Sequence, residues 1–147
     1  MEPNDKLIKL LMVDDEQDFL ESASTALGRR GFDVRVARDG TTALDMAAHE
    51  SFDAVLLDLK MPGLDGVQVF RRLMESSPGT PVIMLTGHGS IDSAFQTSKN
   101  GVADYVEKPC DIEDLARRIR AALTKHSQRS EQERQKLIDE IRHKYPD

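Results

Sequence analysis

The sequence predicts an α/β fold: a five-stranded parallel sheet, doubly wound, with helices on both faces. Three observations carry that reading. Short apolar runs alternate with amphipathic stretches five times over about 125 residues, the pattern of repeated β-α units. Strict alternation of strand and helix, with right-handed crossovers, leaves little besides a parallel sheet covered on both sides. The first and third runs are nearly all apolar, as strands buried on both faces should be.

Taken in order, Leu7–Val13 reads as the first strand. Phe19, Leu20, Ala23, Ala26 and Leu27 then recur at helical spacing, in a helix that begins near Gln17 and that Gly31 stops. Val34–Ala37 is the second strand, and Ala43, Leu44, Ala47 and Ala48 mark the second helix. Ala54–Leu57 is the third strand; Val67, Phe70, Leu73 and Met74 mark the helix after it, closed by Ser76-Ser77-Pro78-Gly79. The fourth strand covers Val82–Leu85, with a helix over Ser90–Asn100 that ends at Gly101. Tyr105–Val106 is a short fifth strand, and Ile112, Leu115, Ile119 and Leu123 mark the last helix. This places one domain over residues 1–126. Residues 127–147 form a polar helical tail or linker, because Ser127 to Lys136 carries no aliphatic or aromatic side chain before Leu137, Ile138 and Ile141. No apolar heptad is sustained there, so a coiled coil is not expected.

Composition narrows the function classes. With 147 residues, 39% hydrophobic and 31% charged, the chain is an ordinary globular domain with a short appendage. Its longest apolar runs are too short to cross a bilayer, and its polar start lacks the apolar core of a signal peptide. Cys110 is the sole cysteine, which excludes an internal disulfide or a Cys-rich zinc site and fits a reducing cytoplasm. A net charge of −6 without a basic block argues against nucleic-acid binding. Arg117, Arg118, Arg120 and Lys125 do cluster, and are read as a solvated face at the end of the last helix, where cations suit the macrodipole.

Ligands of such folds bind beyond the carboxyl ends of the strands. Asp14 and Asp15 follow the first strand, Asp58 the third, Thr86 the fourth and Lys108 the fifth. Three converging carboxylates repel unless a cation joins them, and oxygen-only ligands suit a hard divalent ion such as Mg²⁺. Lys108 adds a point charge suited to a phosphoryl oxygen, and Thr86 a hydroxyl donor. Either aspartate of the pair is also suited to capping the helix that follows.

The acidic pair, the segment Asp58-Leu59-Lys60-Met61-Pro62-Gly63-Leu64-Asp65-Gly66, Thr86-Gly87 and Lys108-Pro109 together resemble the receiver domains of two-component signalling, in order over roughly residues 6–125. The resemblance implies the strand order 2-1-3-4-5. It implies that Asp58 accepts a phosphoryl group from a sensor histidine kinase or phosphotransfer protein, in a domain that assists its own phosphorylation and dephosphorylation without being a turnover enzyme. Asp14, Asp15, Asp58 and the backbone carbonyl of Lys60 would hold Mg²⁺. Lys108 would pair with the phosphoryl oxygens ahead of a cis peptide at Pro109. Thr86 and Tyr105 would act as the switch, Lys60 and His88 as rim residues, and Gly87 would leave room for the phosphoryl group.

Other readings stand beside this one. An aspartate-nucleophile phosphatase wants a second carboxylate two residues after its nucleophile, where this chain has Lys60. Gly87-His88-Gly89 fits neither a dinucleotide nor a P-loop fingerprint. A receiver-like module that binds partners without phosphorylation, and the front part of a larger transcription regulator with a missing output domain, both remain open. Partner contact or homodimerisation is expected through Ser90–Asn100, Ala103–Tyr105 and Ile112–Leu123.

Overall fold

Side chains alternate across a strand, so an uninterrupted apolar run must feed two cores at once. The computed structural model describes residues 6–59, 66–87 and 101–144, with the backbone alone at 127–134, 137 and 144. In chain order the elements are β1 (Ile8–Val13), α1 (Gln17–Gly28), β2 (Phe32–Ala37), α2 (Gly40–His49), β3 (Ala54–Asp58), α3 (Gly66–Ser76), β4 (Val82–Thr86), β5 (Asp104–Glu107) and α4 (Ile112–Lys144). The strands form one parallel sheet in the order β2-β1-β3-β4-β5, the topology expected from the resemblance.

One face carries Leu10, Met12, Leu56, Ile83 and Leu85, packed against Leu20, Ala23 and Leu27 of α1 and Leu115, Ala116, Ile119 and Ala122 of α4. Leu11, Val13, Val55, Leu57, Val82 and Met84 point the other way, onto Ala43 of α2 and Val69, Phe70 and Leu73 of α3. Fully burying each large side chain contributes about 1.5–3 kcal/mol, so this double burial is what fixes the register.

Several boundaries differ from the sequence reading. α1 ends at Gly28 rather than at Gly31. Gly31 instead takes φ +92° and accepts a bond from Ile8 N at 3.0 Å, so it launches β2 two residues before Val34. β3 and β4 run one residue further than expected, to Asp58 and Thr86, and β5 takes in Asp104 and Glu107. α2 has an N-cap that periodicity did not show: Asp39 accepts from Thr42 N at 2.7 Å, which holds its carboxyl below the usual range.

α4 runs without interruption for 33 residues, so the cations at 117–125 are not at its end. The three arginines are engaged: Arg118 joins Asp104 at 3.1 Å to Asp114 at 3.0 Å, Arg117 pairs with Asp114, and Arg120 lies 5.0 Å from the Phe32 ring. Among the described residues no helix is long and apolar enough to cross a membrane. The Met61-Pro62-Gly63 turn, the Ser90–Asn100 helix and Tyr145-Pro146-Asp147 lie outside the described residues.

Candidate functional site

The site is made by backbone bonds that extend the ladders past the strands. Asp14 N donates to Ala37 O at 3.1 Å, Leu59 N to Leu85 O at 2.9 Å, and Lys108 N to Thr86 O at 2.7 Å. Each bond fixes a residue at or next to a chemistry-bearing side chain at the carboxyl edge, at the switch point where β1 separates β2 from β3. A further bond, Gly66 N to Leu59 O at 3.0 Å, seats α3 directly on this edge. A Cβ at Gly66 would lie 2.5 Å from Asp58 O and 2.7 Å from Leu59 Cα, so glycine is required by a close approach of backbone to backbone.

Asp14, Asp15 and Asp58 each bring a carboxylate oxygen within 4.8 Å of the others. Asp14 and Thr86 are fully buried and Asp58 is 5% exposed, while Asp15 faces solvent. Asp14 Oδ1 accepts from Glu16 N at 2.9 Å, so Asp14 orders the loop while Glu16, whose side chain makes no capping bond, stands at the N-cap of α1. Lys108 Nζ pairs with Asp14 Oδ2 and meets Glu16 Oε1 at 3.0 Å. Burial pulls the Lys108 ammonium toward a lower pKa, but the carboxylates of Asp14, Glu16 and Asp58 outweigh it and hold the pKa above the ordinary lysine value. The Lys108–Pro109 peptide is cis.

Thr86 Oγ1 donates to Val106 O at 3.5 Å, a long bond that leaves the hydroxyl easily redirected. Tyr105 is half-buried and packs on the Leu57 and Met84 face. Lys60 and His88, expected at the rim, and the Lys60 carbonyl, expected to hold the metal, lie outside the described residues.

The arrangement fits a divalent cation. Ionised carboxylates at this separation repel by about 3 kcal/mol per pair at an effective dielectric of about 20. Lys108 supplies one positive charge to the three aspartates and Glu16, and buried Asp14 Oδ2 has that ammonium beside it without a hydrogen bond of regular geometry. A hard cation taking carboxylate oxygens would supply the missing positive charge.

Sequence reasoning did not assign Glu16 or Phe19 to the site. Glu16 had a signal in its place directly after the acidic pair; Phe19 was absorbed into the helical spacing. The Phe19 ring centroid lies 4.5 Å from Lys108 Nζ.

A profile of the family described as response regulator receiver domain matches residues 10–120. The uncharacterized transcriptional regulatory protein YkoG of Bacillus subtilis is 40% identical over 122 residues, covering 83% of this chain and 54% of that protein. A solved receiver domain protein from Clostridium thermocellum superposes with a TM-score of 0.76 at 34% identity, covering 82% of this chain and 98% of that one. NtrX from Brucella abortus, solved in complex with ATP, gives 0.77 at 30% identity, covering 84% of this chain and 28% of that one. The chain spans about half the length of the first curated relatives it matches, 54% and 52%.

Proposed function

The chain belongs to the response regulator receiver domain family of two-component signalling, and from that premise we propose that Asp58 accepts a phosphoryl group from a sensor histidine kinase or phosphotransfer protein. The observation that carries this reading is the convergence of Asp14, Asp15 and Asp58 within 4.8 Å, beside the Lys108 ammonium.

A carboxylate oxygen of Asp58 attacks phosphorus, the bond from phosphorus to the donor nitrogen or oxygen breaks, and the electron pair leaves with the donor. The product is an acyl phosphate. Asp58 suits the nucleophile because its strand end fixes it at the edge of the sheet, which is the positioning such transfers depend on. Asp14, Asp15 and Asp58, with the Lys60 carbonyl, would hold Mg²⁺; when bound, that ion supplies charge neutralisation between the carboxylates and the phosphoryl oxygens. Lys108 pairs with a phosphoryl oxygen from the β5 side. The domain assists this transfer and the later dephosphorylation, in which water attacks phosphorus, the bond to the Asp58 oxygen breaks and inorganic phosphate leaves, without being a turnover enzyme.

The Thr86 hydroxyl leaves Val106 O for the phosphoryl group, and Tyr105 moves inward behind it. This couples local charge to the β5 and α4 surface over Ala103–Tyr105 and Ile112–Leu123. We propose that this surface is read by an output region or a separate protein, or by a second copy, since in the curated relatives the matched stretch is about half of a longer chain. A cytoplasmic setting belongs to the same proposal, with Cys110 a free thiol.

Intact mass after incubation with a small phosphodonor tests the reading. One added phosphoryl group is expected with Mg²⁺, none without it, and none in Asp58→Asn. No uptake by folded wild-type protein would leave phosphorylation-independent binding as the better account.

A further inference from the structure

Lys108 is held by the start of α1. Its ammonium pairs with Asp14, meets Glu16 Oε1 at 3.0 Å and lies 4.5 Å from the centroid of the Phe19 ring, with the side chain 13% exposed. Asp14 belongs to the acidic cluster, whereas Glu16 and Phe19 stand apart from it. The Glu16 side chain is 65% exposed, so it is free to turn away into water at little cost. Two contacts of different kinds, one ionic and one to a ring face, therefore hold the same nitrogen on the α1 side of the cleft.

A phosphoryl group on Asp58 needs that ammonium. Contacts made in the ground state and surrendered on the way to the transition state raise the barrier, because catalysis follows differential binding. We infer that Glu16 and Phe19 form a resting cradle for Lys108, and that Glu16 is a positioning residue that slows phosphoryl uptake by retaining the ammonium. This rests on the phosphoacceptor reading of Asp58. An exposed ion pair of this kind holds back the rate by about two- to fivefold. Phe19 adds a ring face that favours the cradled position.

Two measurements test the inference together. The first is the rate of phosphoryl uptake from a small donor with saturating Mg²⁺, for wild type and Glu16→Gln. The second is NMR of the lysine ε-methylene groups, with Lys108 assigned through its loss in Lys108→Arg. Lying over the Phe19 ring, the Lys108 methylene signal is expected upfield of the other lysines and is expected to lose that shift in Phe19→Leu. Glu16→Gln is expected to raise the rate about two- to fivefold, and to move the signal part of the way toward the other lysines. An unchanged rate would overturn the inference. A faster rate with an unmoved signal would overturn it too, since Glu16 would then act by repelling an anionic donor rather than by holding Lys108. If wild type takes up no phosphoryl group, the phosphoacceptor reading fails. The cradle is then judged on the spectra alone, and an unshifted Lys108 signal in wild type would refute it.

Discussion

At the amino end of β1, Lys9 pairs with Glu50 at 2.7 Å and lies 5.5 Å from the Phe52 ring, while Arg35 approaches the same carboxylate at 3.9 Å. At the opposite edge of the sheet Lys108 pairs with Asp14 and Glu16 and lies 4.5 Å from the Phe19 ring. The residue types are the same; charge balance and solvent are not. Two cations share Glu50 in a partly exposed setting, and Asp53 spends one oxygen on Lys9 N at 2.8 Å. Such a network is a surface clasp between β1, β2 and the end of α2. At the carboxyl edge one lysine faces several carboxylates, and two of the aspartates are buried. An excess of buried negative charge is unstable unless something else completes it, which is what separates a site from a clasp.

Glycines at the two edges give the largest contrast. Gly66→Ala drives a Cβ into the Asp58 and Leu59 backbone, which cannot swing aside; Gly79, in the loop before β4, has nothing within 4 Å of its Cβ position. We expect Gly66→Ala to lose about 3 kcal/mol of stability by denaturant melts, together with phosphoryl uptake. Gly79→Ala should stay within about 0.5 kcal/mol. Equal effects would mean that the carboxyl edge is no more tightly built than the other.

Metal linkage comes next. Mg²⁺ at about 100 times its Kd should stabilise wild type by about 2.7 kcal/mol. Thermal melts should show that gain shrink in Asp15→Asn and persist in Glu50→Gln. A gain that survives in Asp15→Asn would place the ion elsewhere.

Acid should reveal the smallest difference. The Lys9 hydrogen bond holds the Glu50 carboxyl below its ordinary value of 4.5. Being depressed in the folded state, this pKa contributes stability that is present above pH 4.5 and lost as pH falls through the lowered folded value. Glu50→Gln should therefore be slightly less stable than wild type near neutrality and converge with it in acid, which flattens the profile below that pH. A profile identical to wild type would show that the clasp contributes nothing.

The strand ends were readable because apolar runs stop where polar side chains begin, and Asp14, Asp58, Thr86 and Lys108 stand at those stops. Their convergence also followed, since parallel strands bring all their carboxyl ends to one edge. The start of β2 was hidden because Asp33 interrupts the apolar run, and Gly31 has the same appearance whether it stops a helix or starts a strand. The termini of β5 were hidden because Asp104 and Glu107 carry charge at the rim of the sheet, where alternation fades. What surrounds Lys108 was illegible for a different reason: Glu16 lies 92 residues away in sequence, and nothing local announces the meeting. Gly66 was visible in the motif, yet its reason, a backbone under the helix start, belongs to packing alone.

α4 has a mechanical consequence. Among the described side chains its apolar contacts with the sheet reach Ala122 and Leu123, and the helix continues to Lys144. At 1.5 Å per residue that stretch is an arm of about 33 Å, so a tilt of about 10° at its root would carry the tip through about 6 Å. Motions too small to notice at the sheet would thus be magnified at the far end. The sensitive place to attach a distance probe is the tip of this lever rather than the cleft that would drive it.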